Sequence, residues 1–157
     1  DTRLRKLHET PYDAVVLAAA GLRRLGMWPP QAVVLEPHEM LPAVGQGTLA
    51  VQVRTGDVAT RQRVDALDDA GVRATALAER AFLAAMGGSC AMPLAAYARW
   101  ESGALRLDAF VATPDGDRML RDGVIGQPSD PEALGRGLAG RMLAAGADRI
   151  VKASLGV

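Results

Sequence analysis

Residues 94–124, LAAYARWESGALRLDAFVATPDGDRMLRDGV, decide the fold. Three strand-like runs, Leu94 to Trp100, Ala104 to Ala112 and Arg118 to Val124, are separated by Glu101-Ser102-Gly103 and Thr113-Pro114-Asp115-Gly116. Both separators carry turn chemistry. Proline pre-sets φ, glycine accepts the left-handed region, and Ser and Asp bond their own backbone. The pattern predicts an antiparallel meander. Downstream, Ser129-Asp130-Pro131-Glu132 opens a helix that runs to about Ala145 and is stopped by Gly146; proline suits a first helical turn. Upstream, Ala74, Leu77, Ala78, Ala81, Phe82 and Ala85 fall at helical spacing in a segment from roughly Val72 to Met86. A three-stranded antiparallel sheet with helices packed on it is a small α+β domain, placed at residues 69–157.

That upstream helix ends in Gly87-Gly88, with Ser89-Cys90 and then Pro93 following. Paired glycines with a proline soon after form a helix stop, so Cys90 falls just beyond a helix end. It is the chain's one cysteine, which excludes an intrachain disulfide and suits a reducing compartment. A free cysteine is most often a small buried apolar residue. A thiol on a glycine loop is equally the arrangement that presents a nucleophile. The residues alone leave both readings open.

Residues 1–68 read differently. Leu4 and Leu7 share a helical face with Arg3, Arg5 and Lys6 around them. A chain that opens at Asp1 inside such a pattern reads as a fragment or a processed product. Tyr12 to Leu17 is an apolar run of the kind buried in parallel sheets. Small residues follow it, Ala18-Ala19-Ala20-Gly21, and then a short helix bearing Arg23 and Arg24 that stops at Gly26. Open α/β sheets bind ligands beyond the carboxyl ends of such strands. Adjacent arginines suit carboxylate or phosphate binding, although a solvated helix face is the commoner place for such a pair. Gln31 to Leu35 and Thr48 to Val53 are further strand candidates. Between them, Val44-Gly45-Gln46-Gly47 is either a plain hinge or a place where Gln46 and backbone N–H groups meet a ligand. Asp57 is a helix cap for a segment ending near Leu67.

Composition narrows the function classes. The chain has 157 residues, 49% hydrophobic, with zero formal net charge and 4% aromatics. That excludes a global basic field and base-stacking platforms, and with them a nucleic-acid partner. No apolar run reaches about 20 residues, and no signal-peptide pattern or G-x-G-x-x-G fingerprint is present. One cysteine and two separated histidines make no metal set. The class is a cytoplasmic α/β protein.

Several motifs then fall into one order. They are Thr2-Arg3-Leu4 with Lys6-Leu7; Tyr12-Asp13-Ala14 through Leu17-Ala18; and Ala20-Gly21-Leu22 with Arg24-Leu25-Gly26. Next come Leu41-Pro42-Ala43-Val44-Gly45-Gln46-Gly47, Ala78-Glu79-Arg80-Ala81, Gly88 with Cys90 and Pro93, and Ala112 with Pro114-Asp115-Gly116. In this order and spacing the chain resembles the C-terminal part of the porphobilinogen deaminase (hydroxymethylbilane synthase) family over essentially its whole length. Ser89 departs from the glycine common before the family's cysteine.

The resemblance implies a fold and a chemistry. Residues 1–41 would end the second of two periplasmic-binding-protein-like domains, and 42–68 would cross back to complete the first. The fold class expected is thus an α/β remnant of that domain pair followed by the α+β domain. The family condenses four porphobilinogen molecules into hydroxymethylbilane, releasing ammonia, within porphyrin biosynthesis. By resemblance, Cys90 would hold a dipyrromethane cofactor through a thioether. Arg3 and Arg24 would bind carboxylates, and Ala18, Gln46 and Gly47 would contact the pyrrole chain. The family's catalytic aspartate lies in a part with no counterpart here, so no residue of this chain is assigned a catalytic role. The partners implied are porphobilinogen and the growing chain, with no membrane, and a monomeric full-length enzyme. The 157-residue chain alone is expected to be inactive. Two rivals stand beside this: a non-catalytic ligand-binding fragment, and a cysteine hydrolase using His8 or His38.

Overall fold

The computed structural model describes residues 2–9, 11–88 and 92–155. The chain divides into two compact bodies, Asp1–Glu36 and Pro37–Val157.

The first body holds helices α1 (Thr2–Glu9) and α2 (Ala19–Arg24) joined by irregular backbone. The runs at 12–17 and 31–35, expected as strands, are not strands, and neither is 48–53 in the second body. A strand exists only where a neighbour completes its ladder of N–H and C=O bonds. Among the described residues the sole sheet is the C-terminal one. Val16, Val33, Leu49 and Val51 are correspondingly exposed.

The second body contains α3 (Val58–Val64) with a 3₁₀ turn at Asp65–Leu67, then α4 (Ala70–Ala85), β1 (Leu94–Glu101), β2 (Ala104–Ala112), β3 (Met119–Gly126), α5 (Pro131–Ala144) and α6 (Ala147–Leu155). Aspartates start three of these helices. Asp57 accepts from the Thr60 N–H at 3.0 Å, Asp69 from Val72 at 2.9 Å and Asp130 from Ala133 at 2.8 Å. Such caps are worth about 1 kcal/mol each. The helix α6 has no counterpart in the sequence reading. Gly146, at φ +95°, turns the chain after α5, and Ala147, Ile150 and Val151 then bury at i, i+3, i+4 spacing.

The sheet is the antiparallel meander β1-β2-β3, with Leu107 paired to Ala98 on one side and Val124 on the other. Its first hairpin needs two consecutive positive φ angles, met by Ser102 (51°) and Gly103 (81°); this is the two-residue turn whose twist matches the strands. Alternation along β2 sends Leu105, Leu107, Ala109 and Val111 into the core with Phe82, Leu138 and Met142. Fully burying a large apolar side chain contributes about 1.5–3 kcal/mol. α5 crosses α4 at Gly135, where a Cβ would collide with the Ala78 carbonyl and lie 2.8 Å from the Phe82 nitrogen. Trp100 ties the sheet back to the start of α4, its indole N–H donating to the Gly71 carbonyl at 3.3 Å.

On the opposite face Asp108 gathers two arginines, Arg99 Nη1 at 2.6 Å and Arg106 Nε at 3.0 Å. The facing residue is Gly123, where a Cβ would strike the Asp108 carboxylate. Burial pushes the Asp108 carboxyl up, but hydrogen bonds and charge from Arg106 and Arg99 outweigh it and hold the group below the ordinary aspartate range.

Candidate functional site

The first element of the site is the way out of α4. Gly87 (φ +117°) and Gly88 (φ +74°) follow Met86. The Gly88 N–H donates to the Leu83 carbonyl at 2.9 Å and the Gly87 N–H to Ala84 at 3.2 Å. This paired closure is the Schellman motif, in which left-handed glycine satisfies the last helical carbonyls. The chain returns beside its point of departure, since a Cβ on Gly87 would meet the Met92 methyl at 2.9 Å. Ser89, Cys90 and Ala91 themselves lie outside the described residues. The Met92 side chain therefore lies against Gly87. Met92, Pro93 and Leu94 continue along a cleft of about 360 Å³ that Leu41, Ala43 and Phe110 also line.

The second element is the 43–48 turn. The Gln46 N–H donates to the Ala43 carbonyl at 3.0 Å, and Thr48 to Gly45 at 3.1 Å. Gly45 adopts φ +71°, which glycine tolerates without strain. The Gln46 side-chain oxygen accepts from the Ala43 N–H at 3.1 Å. With its oxygen committed, exposed Gln46 has its Nε2 donors to offer a ligand. Gly47 stands beside it with nothing within 4 Å of a notional Cβ, so a ligand can approach the backbone closely. Arg121 steadies the approach to this turn by donating to the carbonyls of His38 (2.7 Å) and Pro37 (3.3 Å).

Glu79, on α4, completes the region, and the sequence reading gave it no role. Its side chain is buried. One carboxylate oxygen accepts from the Gly45 N–H at 2.7 Å, the other from the Ala98 N–H of β1 at 2.8 Å. Burial pushes this carboxyl above the ordinary glutamate range, while the Ala98 and Gly45 N–H groups pull it back. The signals in the sequence are its place in the Ala78-Glu79-Arg80-Ala81 motif and a charge set in the apolar stripe beside Ala78, Phe82 and Met86.

The remaining candidates belong to the first body. Ala18 is the N-terminal flanking residue of α2 and Arg24 its last residue. Arg3 is exposed on α1. Their neighbours are engaged: Arg5 pairs with Glu9 at 3.6 Å, and Arg23 lies 5.3 Å from the ring centre of Trp28. Among the described residues Arg3 and Arg24 show no such ion pair or ring contact. The structure therefore groups Ala18 with Arg24, and Gln46 with Gly47, in separate bodies. His38 is exposed, and the side chain of His8 lies outside the described residues. Among the described residues no three His, Cys, Asp or Glu gather as a metal site, and no helix is long and apolar enough to cross a membrane.

Comparison with known proteins supplies the context. A family model described as porphobilinogen deaminase, dipyromethane cofactor binding domain, matches residues 1–62. Another, porphobilinogen deaminase, C-terminal domain, matches residues 73–144. Arg3, Ala18, Arg24, Gln46 and Gly47 fall in the first match and Cys90 in the second. The porphobilinogen deaminase of Thiobacillus denitrificans is 45% identical over 152 residues, covering 97% of this chain and 50% of that protein. The Roseiflexus castenholzii protein of the same name is 47% identical over 151 residues, 96% of this chain and 50% of its own length. That of Acidothermus cellulolyticus is 44% identical over 157 residues, 98% of this chain and 47% of its own. The chain spans about half the length of the curated relatives it matches.

Proposed function

The chain belongs to the porphobilinogen deaminase family, and from that premise we propose that it is the C-terminal half of a hydroxymethylbilane synthase. That enzyme condenses four porphobilinogen molecules head to tail, with loss of ammonia, in tetrapyrrole biosynthesis. The observation that carries the reading is the position of the chain's one thiol. Cys90 follows the Gly87-Gly88 exit of α4 inside the stretch matched by the family's C-terminal domain.

The residues present fit a dipyrromethane cofactor. Cys90 would hold it by a thioether. Such a group, when bound, supplies the free pyrrole end from which the chain grows. Its acetate and propionate groups need fork-shaped donors, the role assigned to Arg3 and Arg24. The Gln46 amide and the open backbone at Gly47 and Ala18 suit contacts to the pyrroles. Cys90 would hold the group through its sulfur, the thiolate being its nucleophilic form, and would serve afterwards as an anchor only. Residues 1–41 would end a second periplasmic-binding-protein-like domain, 42–68 would complete the first, and 69–157 would be the third. A cytoplasmic monomer fits this reading, and the 157-residue chain by itself would not turn over porphobilinogen.

Intact mass tests the anchor. In the complete enzyme, Cys90→Ser is expected to lack the pyrrole adduct and the colour reaction with Ehrlich's reagent. A Cys90→Ser protein that still carries the adduct on another residue would overturn the assignment.

A further inference from the structure

We propose that Glu79 is a positioning residue for pyrrole binding, its carboxylate mooring the Gly45-Gln46-Gly47 turn to α4 and β1 at a fixed place. The inference rests on the reading that this turn meets the pyrrole chain.

The turn is closed on itself by the Ala43–Gln46 and Gly45–Thr48 bonds, so it moves as a unit. Buried Leu41 precedes the turn, and partly buried Val44 within it packs against the core. Among the described residues the Gly45 N–H ties the turn to Glu79 in the body beneath it, spanning 34 positions of sequence. The second oxygen of Glu79 is fixed in turn by Ala98 N–H, so the carboxylate cannot swing. A buried carboxylate is expensive, and an apolar side chain would fill the space more cheaply. What it alone provides at this length is an acceptor at both ends. Glutamine would turn an NH₂ toward one of the two N–H donors. The helix that carries Glu79 also leads, through Gly87-Gly88, into the cysteine segment. The helix that moors the turn is thus also the one that precedes Cys90 in sequence.

Two arms test this. In the 157-residue chain, the amide protons of Gly45 and Ala98 should resonate downfield in NMR spectra. Glu79→Gln should move at least one of them upfield while α5 amides stay in place. In the complete enzyme, Glu79→Gln should keep its Cys90 adduct by mass. Its KM for porphobilinogen should rise about tenfold, the scale of one hydrogen bond to a charged group, with kcat altered by less than about twofold. Glu79→Asp keeps the charge but falls a methylene short, and should show the same split; it carries the test if Glu79→Gln does not fold. Unmoved amides would overturn the mooring. Moved amides with an unchanged KM would overturn the positioning role. Wild-type complete enzyme that makes no hydroxymethylbilane would instead sink the parent reading, and the amide arm would still decide the mooring.

Discussion

Replacing Gly135 by alanine probes the contact on which the C-terminal core is assembled. The added Cβ would collide with the Ala78 carbonyl and lie 2.8 Å from the Phe82 nitrogen and 3.0 Å from the Ala81 Cβ. Two of these neighbours are helix backbone, which cannot turn aside as a side chain can. Relief requires α5 and α4 to part by about 1 Å, a gap that forfeits a quarter to a half of each dispersion contact across it. Phe82, Leu138 and Met142 are fully buried near this crossing and bear that loss. Overpacking of this kind costs about 1–3 kcal/mol, and alanine's better helix propensity returns up to about 1 kcal/mol. The net is a destabilisation of about 1–2 kcal/mol, or roughly a 1 M fall in urea midpoint for an ordinary slope. The same helix supplies its own controls. A Cβ on Gly137 or Gly140 meets nothing within 4 Å, so Gly137→Ala and Gly140→Ala should each stabilise by roughly 0.5–1 kcal/mol. Urea unfolding followed by far-ultraviolet circular dichroism separates the cases. A Gly135→Ala midpoint equal to that of Gly137→Ala would refute the close-crossing argument.

Further outcomes follow from the site and the sheet. Arg24→Lys keeps the charge but loses the fork, so in the complete enzyme it should impair turnover, and Arg24→Leu should impair it more by about 1.5–3 kcal/mol of lost interaction; unchanged kinetics for Arg24→Leu would mark the residue as a solvated helix face. Asp108 titrates below its ordinary value of 3.8 in the folded chain. The folded state therefore binds fewer protons than the unfolded state there, and the stabilisation is present above pH 3.8 and lost as pH falls through the folded value. Asp108→Asn should flatten the acid limb of a stability-versus-pH curve. Glu79 works in the opposite sense: its folded value is raised above 4.5, so its contribution is fully present below pH 4.5 and declines as pH rises through the folded value. Glu79→Gln should remove that decline.

The meander and the helices α4 and α5 were readable because their signals are local. Ser102-Gly103 and Pro114-Asp115-Gly116 set the turns, the alternation of Leu105, Leu107, Ala109 and Val111 sets the face, and Asp69 and Asp130 cap the helices whatever lies beyond them. The runs at 12–17, 31–35 and 48–53 carry equally good strand composition. A strand, however, is a property of a pair, and composition does not say whether a partner is at hand. The same limit applies to the site. The Gly87-Gly88 stop could be read from its neighbours, whereas Glu79 acts across 34 positions on one side and 19 on the other. Family position alone separates Arg3 and Arg24 from Arg5 and Arg23; the ion pair of Arg5 to Glu9 and the place of Arg23 over the Trp28 ring are contacts that sequence spacing did not specify.

The chain's two tryptophans are divided between the two bodies, Trp28 beside Arg23 in one and Trp100 bonded to Gly71 in the other. Each body therefore contains its own fluorophore in a distinct environment, one next to a cation and one donating a hydrogen bond to a carbonyl. Trp28→Phe and Trp100→Phe yield single-emitter proteins in which melting, ligand quenching or protease opening of either body can be followed without interference from the other. The optical independence needs no attached dye, and so leaves Cys90 free for its own chemistry.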